Sequence, residues 1–207
     1  MLVLIAVPTF ENIYPDTFKA LWDMDKGGHT CVFEFVRGYD CATARNNIVQ
    51  KALEMGADYV MMVDNDVTVP PDALVNLIGH GVDVCSGYYA HRDKTGNDTD
   101  KTNVCRLGEF NYTNQYTGAE LKAMRERGEY LFRIHGGGMG CILIRVDVFR
   151  RMSYPWYDWV NYNDDKHSML SEDLYFCEKC KFAKVKMHAD SRVACGHMMR
   201  AIKTLGI

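Results

Sequence analysis

Several large classes of protein are excluded by what this sequence does not contain. No apolar run approaches the roughly 20 residues an α-helix needs to cross a bilayer, so no transmembrane segment is expected. The opening stretch Met1 to Val7 lacks a basic start and is too short for the core of an export signal. Charge of one sign is not in excess: 24 Lys and Arg against 27 Asp and Glu leave a net charge of -3. Bulk attraction to nucleic acid or to an anionic membrane is therefore not indicated. The densest basic run, Lys122 to Arg127, is interrupted by Glu126 and reads as a solvated helix face. There is no internal repeat and no sign of a second core, so the 207 residues are expected to form one domain.

Disulfides are not needed to staple a chain of this size. The eight cysteines include Cys85 in VDVCSG and Cys141 in GMGCILI, inside apolar runs where a reduced thiol packs as a small hydrophobe. Cys177 and Cys180 form a single C-x-x-C with no second pair at metal spacing, which favours helix packing over zinc. Together these features lead to the expectation of a cytoplasmic protein with at most peripheral membrane contact.

What is present is an alternation of strand and helix patterns. Leu2 to Val7 is a continuous apolar run ended by Pro8, as for a strand buried on both faces. Thr43 to Met55 has helical spacing of Ala44, Ile48, Ala52 and Met55, with Thr43 as cap and Gly56 at the end. Ala57 to Val63 is a second buried strand, Pro70 to Ile78 a short helix, and Val82 to Ser86 a third strand. Such an order implies an α/β domain with a mostly parallel, Rossmann-like sheet flanked by helices. Ligands of such sheets bind outside the carboxyl ends of the strands, here the loops Pro8 to Tyr14 and Asp64 to Thr68.

From His91 to Glu129 the sequence turns polar and reads as a variable insertion with one helix, Thr117 to Arg127. Strands are expected again at Leu131 to His135 and Met139 to Arg145, around the glycines 136–138, then a short helix from Val146 to Met152. Ser171 caps a helix running to Phe182, and Ala183 to His188 is a last strand. Trp156, Tyr157 and Trp159 precede a polar stretch from Asn161 to His167, a composition that suits a sugar-stacking surface or a cap on the core.

The strongest chemical signal is YVMMVDNDV. Asp64 and Asp66 follow a buried strand two positions apart, so on extended backbone they point the same way. Hard divalent cations take oxygen ligands, and a cation bridging two phosphates stabilises the charge that grows on a diphosphate leaving group. An acidic turn is the alternative, since Asp and Asn favour turns.

ARNNIVQKALEMGADYVMMVDNDVTVPPDAL resembles the donor-binding core of GT-A glycosyltransferases, particularly the family 2-like enzymes with a D-x-D motif. VLIAVPTFE resembles their first strand and nucleotide loop, HGGGMGCILIRVDVF their central strand, and SEDLYFCEKC their E-D helix. The resemblance covers most of the chain outside His91 to Glu129, which becomes an acceptor-side insertion. It implies a GT-A domain with Mn2+ or Mg2+ held by Asp66, Asp64 and His197, Asp64 also reaching the ribose. Pro8, Thr9 and Glu11 would line the base and ribose pocket, and Arg45 would bond phosphate or base oxygens, with Asn65 in the same motif. Gly136 and Gly137 would lie under the donor sugar. Asp173 would be the general base and Glu172 would orient the acceptor.

Each of these residues also has an ordinary structural reading. Arg45 can be a surface ion pair, Glu172 and Asp173 can stabilise the first turn of a helix, and the glycines can serve a tight strand connection. The resemblance implies transfer of a sugar from a nucleoside-diphosphate sugar, with UDP favoured, to a hydroxyl acceptor, with inversion. A nucleotidyltransferase is the alternative enzyme, but PTFENIYPD is acidic and has no glycine with which to grip a triphosphate. A catalytically inactive nucleotide-sugar-binding module on the same fold is the other alternative.

Overall fold

The computed structural model describes residues 1–91, 101–108, 114–161 and 169–198. Of the segments expected from sequence, 92–100 and 109–113 of the insertion and 162–167 of the polar stretch lie outside the described residues.

The first part alternates strand and helix: β1 (Leu2–Thr9), α1 (Pro15–Asp23), β2 (Thr30–Arg37), α2 (Cys41–Glu54), β3 (Tyr59–Val63), β4 (Val67–Thr68), α3 (Ala73–Gly79) and β5 (Val84–Tyr88). There follow β6 (Lys101–Cys105), β7 (Gln115–Thr117), α4 (Gly118–Glu126), β8 (Leu131–Ile134), β9 (Gly136–Gly137) and β10 (Cys141–Arg145). The last elements are α5 (Asp147–Arg150), β11 (Val160–Asn161), β12 (Met169–Leu170), α6 (Glu172–Phe182), β13 (Met187–Ala194) and β14 (Gly196–His197).

Seven strands form the main sheet in the order β2-β1-β3-β10-β5-β13-β8. β2, β1, β3, β5 and β13 run one way, while β10, between β3 and β5, and β8, at the edge, run the other. The sheet is thus mixed but mostly parallel. Its central strands are apolar throughout because both faces are covered. Val3, Ile5, Tyr59, Met61 and Val63 face a core closed by Leu21 of α1 and Leu74 and Leu77 of α3. Leu4, Ala6, Val60 and Met62 point the opposite way, into a core with Ile48 of α2, Phe149 of α5 and Phe176 of α6. The pleat of the strand makes this division.

Several boundaries differ from the sequence reading. Pro8 does not end β1, which continues to Thr9. Pairing with β3 stops at Ala6, and Pro8 lies in register only with Val36 of β2, where its missing N–H is tolerated. α2 is capped by Asp40, whose carboxylate accepts from the Thr43 N–H and hydroxyl, so the helix begins earlier than Thr43. Gly56 does close it, in the left-handed conformation with φ of 67°. Pro70 and Pro71 precede α3 rather than opening it. Residues 183–186 form the turn after α6, and the last strand of the sheet starts at Met187.

The segment 91–129 is not wholly peripheral. β6 carries the buried Thr102, Asn103, Val104 and Cys105, and α4, which Thr117 caps rather than begins, buries Leu121. Trp156 and Tyr157 are core residues rather than a sugar platform. Tyr157 stacks on Phe176 at 4.9 Å, and the Asn46 side chain accepts both backbone N–H groups and donates to the Tyr157 carbonyl. Only Trp159 of the three remains exposed.

Candidate active site at the carboxyl edge of the sheet

The Asp64–Asp66 turn leaves the end of β3, and neighbouring backbone fixes it at three points. The Asp64 N–H donates to the Gly140 carbonyl (3.1 Å), the Val67 N–H closes the turn onto the Asp64 carbonyl, and the Met198 N–H donates to the Asp66 carbonyl (2.8 Å). That last bond extends the two-residue ladder of β4 with β14, in which His197 pairs with Val67. A residue near the end of the described chain is thereby brought to the turn. His197 Nε2 stands 3.8 Å from Asp66 Oδ1.

His197 Nδ1 lies 2.9 Å from the Ala90 carbonyl. A carbonyl only accepts, so Nδ1 donates to it, and in the neutral ring the lone pair falls on Nε2, towards Asp66. The imidazole ring packs edge-on against Tyr89, with ring centres 5.0 Å apart.

Asn65 serves the loop beside the turn. Its side-chain amide donates to the Asn12 carbonyl (2.7 Å) and to Thr9 Oγ1 (3.2 Å), and its carbonyl accepts from the Tyr14 N–H. Thr9 Oγ1 itself donates to the Asn12 carbonyl (2.6 Å). Polar side chains thus tie the loop after β1 to the acidic turn. Between them lies an open cavity of about 400 Å³ lined by Phe10, Glu11, Tyr14 and Asn65. Glu11 is exposed there, while Pro8 and Thr9 are buried.

Arg45 is neither on the surface nor paired with a single acid. It is 1% exposed, and its guanidinium meets three carboxylates. Nη2 is 3.0 Å from Asp64 Oδ1 and 3.4 Å from Asp173 Oδ1, and Nε is 3.7 Å from Glu172 Oε1. One cation among three acids leaves the cluster net negative. Burial first, and then Glu172 and Asp64, push the Asp173 carboxyl up to about 7, although Arg45 and a Met139 backbone hydrogen bond pull it down. Ser171 caps α6 and directs Glu172 and Asp173 to this edge. Among the described residues, Nε and Nη1 of Arg45 and Oδ1 of Asp173 are buried without a hydrogen-bond partner, a state that calls for water or a ligand.

The glycine run is explained by protein contacts. A Cβ on Gly137 would lie 2.5 Å from the Asn103 carbonyl oxygen, and one on Gly138 or Gly140 would strike Tyr89. Gly136 and Gly137 form β9, paired with β6. Asn103 links these parts: its side chain accepts from the Tyr89 N–H and donates to the Gly138 carbonyl. Tyr89 and Asn103 have no counterpart in the sequence reading. Tyr89 gave no signal beyond an aromatic after an apolar strand, and Asn103 lies in a segment that reads as polar loop.

The structure thus brings Arg45, Asp64, Glu172 and Asp173 into one cluster, sets Asp66 beside His197, and places Glu11 and Asn65 around the neighbouring cavity, while Pro8 and Thr9 are buried and do not line it. Among the described residues, no three His, Cys, Asp or Glu side chains are grouped to hold a metal by themselves. Cys177 and Cys180 are buried, and the Cys177 thiol donates to the Gly137 carbonyl.

No protein-family model matches the sequence, and no curated protein matches it. Solved structures do match by shape. A197 from STIV superposes with a TM-score of 0.64 at 19% identity, over 97% of this chain and 87% of that one. GalNAc-T7, solved with UDP, GalNAc and Mn2+, gives 0.63 at 12% identity, over 97% of this chain and 44% of that one. TarS 1–349 of S. aureus, solved with UDP-GlcNAc, gives 0.52 at 14% identity, over 98% and 60%. The chain therefore spans less than two thirds of the GalNAc-T7 and TarS chains. Its fold is the α/β fold of GT-A glycosyltransferases.

Proposed function

We propose that this chain is a metal-dependent glycosyltransferase that moves a sugar from a nucleoside-diphosphate sugar, with UDP favoured, to a hydroxyl acceptor with inversion. The observation that carries the reading is the convergence of two acidic devices on one sheet edge: the Asp66–His197 pair, and Asp173 held near neutrality beside Arg45. The UDP and Mn2+ of GalNAc-T7 and the UDP-GlcNAc of TarS support it, as ligands of proteins with the same fold.

In this reading Asp66 and His197 Nε2 would hold Mn2+ or Mg2+, with Asp64 the third candidate. The donor set fits: a carboxylate faces an imidazole whose lone pair is freed by its own hydrogen bond to Ala90. Held by so few protein ligands, a hard cation would keep room for diphosphate oxygens and water. The cation would supply positive charge to the departing diphosphate.

The chain's own groups do the rest. The cavity between Glu11 and Asn65 takes the base and ribose. Asp173 accepts the proton of the acceptor hydroxyl as its oxygen bonds to the anomeric carbon, and the sugar–phosphate bond breaks with its electron pair leaving on the diphosphate. A carboxyl held near pH 7 suits that task better than an ordinary aspartate. Glu172 orients the acceptor, and Arg45 positions Asp64 and Asp173 together.

The test is release of UDP from a panel of UDP-sugars with Mn2+, for the native protein and for Asp173→Asn. The reading requires turnover by the native protein, with loss of turnover and retention of UDP binding in the variant. Binding without turnover in the native protein would favour an inactive nucleotide-sugar-binding module.

A further inference from the structure

A second charged region lies at the other end of α6 from Glu172 and Asp173. The helix has 11 residues, so the two ends are roughly 16 Å apart at 1.5 Å per residue. The chain leaves α6 through a Schellman turn: the Val185 N–H donates to the Cys180 carbonyl and the Lys184 N–H to the Lys181 carbonyl. The position that normally takes glycine in this turn is Lys184, with φ of 56°. A side chain there is strained by about 1–2 kcal/mol.

The turn sets Lys181, Lys184 and Lys186 around a cavity of about 330 Å³, with Arg133 of the edge strand β8 on its other side and Val185 and Met187 within. All four cationic residues are exposed. Glu178 is the acid that meets this group, 3.6 Å from Lys181 and 3.4 Å from His135. Among the described residues Arg133, Lys184 and Lys186 have no ion-pair partner, on a chain whose net charge is -3. The unbalanced field is felt by His188, whose proton is disfavoured by burial and then by Arg133, His80 and Lys186. Between the lysines, Phe182 stands 82% exposed.

A cationic rim would by itself suit any phosphate. The protruding Phe182 adds an apolar element that a small soluble anion cannot use but the boundary between headgroups and acyl chains can. We infer that this face, formed by Arg133, Lys181, Phe182, Lys184 and Lys186, docks the protein peripherally on an anionic phospholipid surface. No helix among the described residues is long and apolar enough to cross a membrane, so the contact is electrostatic with one aromatic anchor. Docked in this way, the protein would hold the candidate active site one helix length from the contact, roughly 16 Å along α6.

The inference is tested by cosedimentation of the full chain with phosphatidylcholine vesicles, with and without phosphatidylserine. The expected result is binding only to the acidic vesicles, falling as salt is raised. Each of Lys181→Gln, Lys184→Asn and Lys186→Gln should weaken binding roughly five-fold, following the usual contribution of one lysine near an acidic bilayer. The triple variant should abolish binding, and Phe182→Ala should weaken it at unchanged charge. Asparagine tolerates the left-handed position of Lys184, and an unchanged melting temperature verifies the fold. No binding by the native protein, equal binding to neutral vesicles, or undiminished binding by the folded triple variant would overturn the inference. So would binding of inorganic phosphate at this site, measured by calorimetry, without binding to vesicles.

Discussion

The Arg45 guanidinium lies 3.4 Å from the Asp173 carboxylate, yet Asp173 is held near pH 7 rather than below the usual range. The cation is shared with Asp64 and Glu172, and burial acts against the charge throughout. The pair is therefore not a simple salt bridge.

Stability should carry a signature of this. Between an ordinary aspartate value and about 7, the folded protein holds a proton on Asp173 that the unfolded chain has lost. Asp173 therefore contributes a loss of stability as pH rises across that window. Asp173→Asn should melt higher than the native protein at pH 8 and near the native temperature at pH 4. An equal shift at both values would contradict the assignment.

Removing Arg45 should be far more damaging. Arg45→Met leaves three carboxylates facing one another, and breaking a buried pair in this way costs about 3–5 kcal/mol. Chemical denaturation at pH 8 measures it. The loss should shrink at pH 4, where protonation relieves the repulsion. A uniform loss across pH would point to packing alone.

Gly137→Ala separates the two readings of the glycine run. The added methyl would meet the Asn103 carbonyl at 2.5 Å, so overpacking should cost about 1–3 kcal/mol. If the glycine instead serves only a ligand, the variant will melt normally and lose affinity for the donor.

His197→Ala tests the metal pair. Its ring is held by one hydrogen bond to Ala90 and an edge contact with Tyr89, so the fold should survive its loss. Mn2+ affinity in the presence of UDP should fall at least tenfold, the lower end of what even an outer-shell partner of a metal ligand costs. An unchanged affinity would assign His197 to structure.

Much of this was legible in the sequence. β1 and β3 announce themselves as apolar runs because both faces of a central strand are buried, and Ser171 caps α6 as its position suggests. α1 was not legible, because its Phe18 and Trp22 point to solvent while Thr17 and Leu21 are buried. β2 is an edge strand of intermediate burial with no clean alternation. The aspartates of the site follow from D-N-D after a strand and from a capped E-D helix. The fourfold meeting of Arg45 with Asp64, Glu172 and Asp173 does not, since it depends on how α2, β3 and α6 converge. Tyr89 and Asn103 were hidden for a similar reason: their partners are backbone groups distant in sequence.

The proposed activity requires a nucleoside diphosphate held through a metal at the acidic turn. Titration calorimetry with UDP, GDP and CDP, with and without Mn2+, on the native protein and Asp66→Asn, tests it most directly. One nucleotide, UDP first, should bind only with metal, and the folded variant should lose this binding. Failure of all three to bind the folded native protein under any metal condition would contradict it.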